Sequence, residues 1–190
     1  MPKELNTDEM IKKLAILIAL AKEKETSKNI IDRLGVVTVY SNMVDFFLIQ
    51  TARLAEQIIL KKQSLDGTVS FKPHEDSWFF DQQVPSRRII SVIKKILPLK
   101  AVKPQDETVA KEITESVTDF LSIAGKYLTS RNLIFHHLTN PKKTLKDIQV
   151  EIQKTITNFH KFTKAHTKLF ELARPYRFSE KEIQYFYGKE

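Results

Sequence analysis

The sequence predicts an all-α protein, a bundle of four or five main helices. Apolar residues recur with the 3.6-residue period of a helix over most of the chain, and runs with the two-residue period of a strand are scarce. The prolines fall between the periodic stretches, as expected where proline ends one helix or begins the next. With 190 residues, we expect one domain over 1–190, with a short C-terminal appendage at 173–190.

The first half of the chain predicts two helices and a loop. Residues 6–25 are amphipathic. Residues 28–62 are the most apolar stretch, and a helix apolar over so much of its girth is central in a bundle or shared with a second subunit. Glycine, proline and polar residues predict a loop over 64–77, followed by an aromatic turn at 78–80. The residues expected to face inward are Met10, Ile11, Leu14, Leu17, Ile18, Ala21, Val36, Tyr40, Met43, Phe47, Leu54 and Ile58.

The second half predicts three helices separated by prolines. They span 86–97, 105–129 and a long stretch from 144 to about 174, with a junction over 131–141 and a last short turn at 179–182. Thr144 and Asp147 form a capping pair for the long helix. The residues expected to face inward are Val109, Ile113, Val117, Phe120, Ala124, Leu128, Leu145, Ile148, Ile152, Ile156, Phe159, Phe162 and Leu169.

Composition excludes several classes of site. The four glycines are far apart, so glycine loops that cradle phosphates or dinucleotides are not expected. There is no cysteine, which excludes disulfides, thiolate zinc sites and thiol nucleophiles. Three adjacent loop residues, His74 to Asp76, form a weak metal-binding candidate, because neighbours in a loop rarely converge on one ion. We therefore expect no cofactor and no metal.

The net charge of +8 is concentrated near the C-terminal end. Residues 131–190 hold 12 Lys and Arg against 6 Asp and Glu. Lys142, Lys143 and Lys146 begin a basic face, which is either a solvated helix surface or a surface that attracts RNA phosphates. The longest unbroken apolar run, 14–21, is far shorter than the roughly 20 residues that span a bilayer. We expect a cytoplasmic protein without a membrane segment.

Segment 131–137, Arg-Asn-Leu-Ile-Phe-His-His, is the candidate site. If it is helical, we expect Arg131 and His136 to face one side while the apolar residues 133–135 anchor the segment in the core. The guanidinium of Arg131 and the imidazole of His136 would then lie close together at a helix junction. Cleavage of an RNA phosphodiester without metal needs those groups, since a guanidinium holds phosphate oxygens and histidine carries protons near neutral pH.

Such cleavage needs a base for the 2′-hydroxyl and an acid for the leaving 5′-oxygen. His136 and His137 are adjacent, and adjacent helical residues diverge by about 100°. The simpler arrangement is a twofold homodimer that brings one His136 from each protomer to a shared cleft. Asn132 would orient a side chain or the phosphate, and His137 is a secondary candidate.

The Arg-Asn-x-x-x-His run resembles the signature of HEPN domains (higher eukaryotes and prokaryotes nucleotide-binding), with Arg131, Asn132 and His136 at the matching positions. The resemblance implies a dimerising bundle of four to five helices. For many members it implies a metal-independent endoribonuclease in defence or toxin–antitoxin systems, with RNA as substrate and a neutralising antitoxin or regulatory protein as partner. One toxin branch adds x-Tyr after the histidine, whereas here His137 and Leu138 follow.

Two other interpretations stay open. Arg131 can pair with Asp119 or Asp45, while His136 is an ordinary partly buried histidine and Asn132 a helix cap. Asp45 itself, in the apolar second helix, can also face solvent, serve the site or orient Arg131. At the level of function, the alternative to the nuclease is a non-catalytic helical dimer that binds a protein or nucleic acid through its basic face.

Overall fold

A computed structural model of the chain describes residues 7–66, 84–96 and 107–176. Within these ranges there are five α-helices and no strand, so the predicted all-α class is confirmed. The predicted loop and aromatic turn before residue 84 lie almost wholly outside the described residues, as do His74 to Asp76 and the last turn at 179–182. The helices are α1 (Thr7–Lys24), α2 (Ile30–Asp66), α3 (Ser86–Ile96), α4 (Glu107–Thr139) and α5 (Leu145–Ala173), followed by a 3₁₀ turn at Arg174–Tyr176.

The helices form two compact units. Unit 1 takes Met1–Asp45 and Ile123–Phe162, and unit 2 takes Phe46–Ser122 and Thr163–Glu190. The long helices α2, α4 and α5 each contribute a segment to both. The five candidate site residues all belong to unit 1. They are Asp45, Arg131, Asn132, His136 and His137.

In unit 1, α2 and α5 run parallel. Arg33 donates to Gln153 Oε1 at 2.6 Å. About two turns further along both helices, the ring of Tyr40 stacks on that of Phe159 with centroids 3.7 Å apart. Since α4 and α5 are joined by a five-residue turn, α4 is antiparallel to both. The core residues of this unit are Ala21, Val36, Val37, Tyr40, Met43, Val44, Ala124, Tyr127, Leu128, Ile134, Ile148, Ile152, Ile156, Phe159 and Phe162.

Unit 2 buries the remaining apolar stripes around an aromatic cluster. The imidazole of His166 lies 4.4 Å from the ring of Phe47, 4.3 Å from that of Phe170 and 5.9 Å from that of Phe120, between centroids. The other core residues of this unit are Leu48, Ala52, Leu54, Ala55, Ile58, Ile59, Ile89, Ile93, Ile113, Val117, Leu121, Leu169 and Ala173.

The largest difference from the predicted elements is the length of α4. The sequence predicts a helix to 129 and a junction from 131, but α4 continues to Thr139. Thr129 Oγ1 donates to the carbonyl of Gly125, and Ser130 Oγ to those of Lys126 and Tyr127, so these hydroxyls are satisfied inside the helix. Ile134, buried to 1% exposure, carries the apolar stripe through the predicted junction. The Thr144–Asp147 capping pair is confirmed.

Some residues that were expected to face inward are exposed. Leu17 on α1 and Leu145 at the start of α5 are exposed, as are Leu133 and Phe135 in the motif segment. Leu145, Leu133 and Phe135 lie near the ends of their helices, whereas Leu17 lies in the middle of α1. Of the three motif residues expected to anchor the segment, only Ile134 does so. The expected stripe residues Val36, Tyr40, Met43, Ile152, Phe162 and Leu169 are buried as predicted.

By length and composition, Ile30–Lys61 could cross a membrane. Its mean hydropathy is 1.2, although 39% of the apolar window is buried inside the protein. The core helix of a bundle passes the same test, so this is weak evidence for a span. The expectation from unbroken apolar runs overlooked this stretch, because single polar residues interrupt it.

Replacing Ile152 should destabilise the protein far more than replacing its exposed neighbour Val150. Ile152 is fully buried in unit 1, whereas Val150 is 46% exposed on the same helix. We expect Ile152→Ala to lower the free energy of unfolding by about 2–5 kcal/mol and Val150→Ala by about 0.5 kcal/mol or less. Urea denaturation followed by circular dichroism measures both, and equal losses would contradict the assigned core.

His166 should make stability fall below neutral pH. Burial lowers the pKa of His166 to about 4 from its usual 6.5, so between these values the unfolded chain binds the extra proton. Stability from this group is therefore complete above pH 6.5 and is lost as the pH falls to about 4. The loss is at most about 3 kcal/mol.

The matched variant is His166→Phe, which keeps a ring among the phenylalanines but cannot titrate. Unfolding free energies of both proteins should be measured from pH 7 to pH 4. We expect the wild type to lose more stability than the variant over this interval. Parallel curves for the two proteins would show that His166 is not the group responsible.

Candidate functional site

The motif segment lies in the last three turns of α4, in unit 1. Arg131 and Asn132 are half-buried, Ile134 is buried, His136 is exposed and His137 is half-buried. The site is thus carried by a continuous helix and not by a flexible junction. Its side chains project in directions that the helix fixes.

Arg131 and His136 do not face the same side. They are five positions apart, and at about 100° per residue they diverge by about 140° around the axis. The expectation that one helix would bring them together is therefore wrong. Asn132 and His136, four positions apart, do share a face. The chain supplies a guanidinium on one side of α4 and an imidazole on another.

Arg131 instead shares a stripe with two exposed apolar residues. Phe135 and Leu138 follow it at spacings of four and three, which is the pattern of one helix face. This stripe continues the buried line of Ala124 and Tyr127, but Phe135 is 59% and Leu138 47% exposed. The end of α4 therefore carries exposed apolar side chains beside the buried Ile134 and one turn beyond it.

The guanidinium of Arg131 contacts the side chain of the next residue, Asn132. Its Nε and Nη2 atoms are 3.4 and 3.5 Å from Asn132 Oδ1, which makes both hydrogen bonds long. Within the ranges that the structure describes, these are its hydrogen bonds, and neither is to Asp45 or Asp119. One turn earlier on the same face is Tyr127, whose side chain is fully buried.

Tyr127 joins α4 to α2 through its hydroxyl. The phenolic oxygen lies 3.0 Å from Ser41 Oγ and 3.4 Å from the carbonyl oxygen of Val37. Burial raises the pKa of Tyr127, while the Ser41 hydrogen bond and the charge of Arg131 lower it and Asp45 adds to the increase. Asp45 and Arg131 are thus both within electrostatic reach of this hydroxyl. Because α2 and α4 are antiparallel, they lie on opposite sides of it.

His137 lies beside the turn that leads into α5. Its Nδ1 atom is buried without a hydrogen-bond partner among the described residues. The backbone N–H and hydroxyl of Thr144 donate to Asp147 at 2.9 and 3.0 Å. These bonds, with the charges of Lys143 and His137 nearby, lower the pKa of Asp147.

Exposed cations surround the end of α4. Lys142, Lys143 and Lys146 are all exposed around the turn. Asn140 shapes this turn, with its Oδ1 accepting from the N–H of Lys142 at 2.9 Å and its carbonyl from that of Lys143 at 3.0 Å. The turn thus holds positive charge about one helical turn from His136, where it attracts a polyanion without reading sequence.

The described residues contain no group of three or more His, Cys, Asp or Glu side chains placed to hold a metal ion. The functional groups of the segment are therefore a guanidinium, two imidazoles and an amide, with ammonium groups nearby. Such groups bind phosphate oxygens and transfer protons. An attacking hydroxyl can be supplied by the substrate, with an imidazole as its base.

Sequence reasoning missed Ser41 and Tyr127. The sequence does contain a signal for both residues. Each carries a hydroxyl within an apolar helical stripe and lies one turn before a charged candidate residue. Ser41 precedes Asp45 by four positions and Tyr127 precedes Arg131 by four. A polar side chain at a core position indicates a hydrogen-bonded partner across the helix interface.

No protein family, curated protein or solved structure matches the chain. The resemblance of Arg131, Asn132 and His136 to the HEPN signature therefore depends on the motif and its helical setting. Function has to be inferred from the chemistry of these residues and from what surrounds them.

Proposed function

We propose that the chain is a metal-independent endoribonuclease of HEPN type that acts as a homodimer in the cytoplasm. The observation that supports this most is the end of α4. It carries Arg131 at the edge of the core, an apolar stripe that its own unit leaves uncovered, and an exposed imidazole on the next face. One chain would thus supply one of the two proton-transfer groups that cleavage needs.

A second copy would complete the chemistry. Cleavage needs one group to accept a proton and one to donate a proton in the same reaction. In a single chain, His136 and His137 point about 100° apart. A twofold axis near His136 would place the same residue of a second subunit opposite it. Two identical imidazoles can then act in turn as base and acid.

The apolar stripe gives that second copy a place to pack. Phe135 and Leu138 are large and exposed, and their exposure to water is unfavourable by about 25 cal/mol per Å² of apolar surface. A C₂ interface uses one patch on both subunits. If α4 pairs with α4 of the second subunit, both stripes are buried together and both motifs lie near the axis.

In the proposed reaction, the 2′-oxygen of a ribose attacks the adjacent phosphorus and the bond from phosphorus to the 5′-oxygen breaks. One His136 accepts the proton of the 2′-hydroxyl, and His136 of the second subunit protonates the leaving oxygen. The products are a 2′,3′-cyclic phosphate and a 5′-hydroxyl. Arg131 stabilises the charge on the non-bridging oxygens, and Asn132 orients the phosphate or the histidine.

The lysines and the biological setting complete the proposal. Lys142, Lys143 and Lys146 would bind phosphates that flank the cleaved one. A nuclease without sequence readout is harmful unless controlled, which agrees with a defence or toxin–antitoxin role. A neutralising antitoxin or regulatory protein would then be a partner.

Arg131→Ala and His136→Ala should each abolish RNA cleavage while the helical fold is retained. Loss of one contact to the transition state lowers a rate by on the order of 10²–10³-fold. The assay is cleavage of labelled RNA in excess EDTA, with circular dichroism to check folding. Lys161→Ala, an exposed cation on α5 outside the motif, is the matched control and should stay active.

A mixed dimer tests the shared cleft. Heterodimers of wild type and His136→Ala, purified through two different tags, should have almost no activity because one imidazole is missing from the cleft. Half of the wild-type activity would show that each chain acts alone. Binding of RNA without cleavage by the wild type would favour the non-catalytic alternative, and activity lost in EDTA would favour a metal-dependent hydrolase.

Phe135→Glu combined with Leu138→Glu should convert the dimer into a monomer, because each copy would place two carboxylates in an apolar interface. Light scattering after size-exclusion chromatography measures the mass. Ile16→Glu, at a similarly exposed position on α1, is the control and should leave the dimer intact. A wild type that is monomeric, or a dimer that only Ile16→Glu disrupts, would contradict the α4 interface.

A further inference from the structure

Helix α1 exposes more apolar surface than the packing of unit 1 uses. Its apolar run extends over 14–21, but among the side chains that the structure describes on this helix only Ala21 is buried. Ile16, Leu17 and Leu20 are 62%, 44% and 55% exposed. Contiguous apolar surface of this kind marks a contact with another protein or with a membrane. The proposed reaction gives α1 no role.

The exposed apolar surface of α1 is wide. Residues 15–17 and 19–20 are all exposed. Adjacent helical positions point about 100° apart, so residues 15–17 alone cover about 200° of the helix circumference. A helix that packs against a neighbour buries a narrower stripe, of about 100° or a little more. A partner of the whole surface must wrap more than half of the helix, which a lipid phase does and a single packed helix does not.

Lysines lie at both ends of the apolar run. Lys12 and Lys13 precede it and Lys22 and Lys24 follow it, and all four are exposed. The segment 12–24 holds these four lysines and one glutamate, so its net charge is +3. Lys24 Nζ also lies 3.6 Å from a carboxylate oxygen of α2. A partner that fits this surface therefore presents negative charge at both ends of an apolar centre.

This charge pattern disfavours a second copy of the chain as the partner. Two α1 helices packed side by side would bring lysines next to lysines whether they run parallel or antiparallel, because both ends carry them. Like charges placed opposite each other oppose association. An anionic lipid surface avoids this repulsion, since its negative headgroups lie directly above the acyl chains. Lysine side chains can then extend to the headgroups while the apolar residues enter the layer below.

We propose that the exposed side of α1 is a docking surface for a membrane with anionic headgroups. The helix lies in the plane of the membrane, with Ile16, Leu17 and Leu20 at the boundary of the acyl chains. The eight-residue apolar run is about 12 Å long, far less than the roughly 30 Å of a hydrocarbon core. The attachment is therefore peripheral. It goes beyond the proposed function, because it does not involve the motif segment of α4.

Vesicle flotation with the full chain tests the docking. The probes are vesicles of phosphatidylcholine with one-third phosphatidylserine, and vesicles of phosphatidylcholine alone. We expect the wild type to bind the anionic vesicles about 10-fold or more tightly, because lysines near a negative surface contribute together. Added salt should weaken this binding through screening. A wild type that binds neither kind of vesicle, or both equally, would overturn the proposal.

Ile16→Glu combined with Leu20→Glu should abolish vesicle binding, because carboxylates would replace apolar groups at the acyl boundary. Both positions are exposed, so the helical circular dichroism should be retained. Ile31→Glu combined with Leu145→Glu is the matched control. It changes the two most exposed large apolar residues of the described chain, at 73% and 67%, and should bind as the wild type does.

Two outcomes of this comparison would contradict docking through α1. If the control loses binding and the α1 variant keeps it, the membrane contact lies elsewhere. If the α1 variant has a lower mass than the wild type in light scattering, a second copy of the chain covers this face.

A fluorescent label reports the contact at a single position. The chain has no cysteine, so Leu20→Cys and Ile31→Cys each provide one thiol for an environment-sensitive nitrobenzoxadiazole label. We expect anionic vesicles to shift the emission to shorter wavelength and raise its intensity at position 20, with no change at position 31. A change at 31 alone would overturn the proposal. Neither measurement requires RNA cleavage, so a failure of the proposed nuclease activity is distinguishable from a failure of docking.

Discussion

The regular hydrogen bonding of α4 through Thr139 is the constraint on which the candidate site depends. If the helix ended near residue 130, Arg131 and His136 would sit on a connection free to turn either side chain toward the other. Instead, hydroxyls of Thr129 and Ser130 bond to carbonyls of the preceding turn, and Ile134 anchors the next turn in the core. The helical period then separates the guanidinium from the imidazole.

That separation gives the two charged groups different surroundings. Arg131 is at the border of the core, beside a buried phenol, where fewer waters screen its charge than at the surface. His136 is exposed, with lysines around the adjacent turn. A guanidinium held in a water-poor setting interacts more strongly with a phosphate than a fully hydrated one, provided that its direction is fixed beforehand. The half-buried position of Arg131 is therefore as relevant to a phosphate site as its charge.

Helical periodicity and capping chemistry carried most of the fold prediction. The starts of α3 and α5 lie within one residue of the predicted positions, because Pro85 and the Thr144–Asp147 pair mark them locally. The end of α4 was not predictable in this way, since the hydroxyls of Thr129 and Ser130 can either interrupt a helix or bond within it. For the site, the sequence indicates which side chains are able to bind phosphate or transfer protons. It does not reveal that Tyr127 meets Ser41, because that contact spans 86 positions of the chain.

The exposed stripe at the end of α4 shows why periodicity alone misjudges burial. Phe135 and Leu138 keep the helical spacing of the core, so a pattern of apolar residues predicts them to be inside. Burial also requires a partner surface on the same side of the helix. Ile134 has one and is buried, whereas Phe135, one position further and about 100° around the axis, is 59% exposed. Exposed apolar residues on the same stripe as a half-buried guanidinium have a simple physical explanation if a second α4 covers them. The same contact would bring a second imidazole to the site that one chain leaves incomplete.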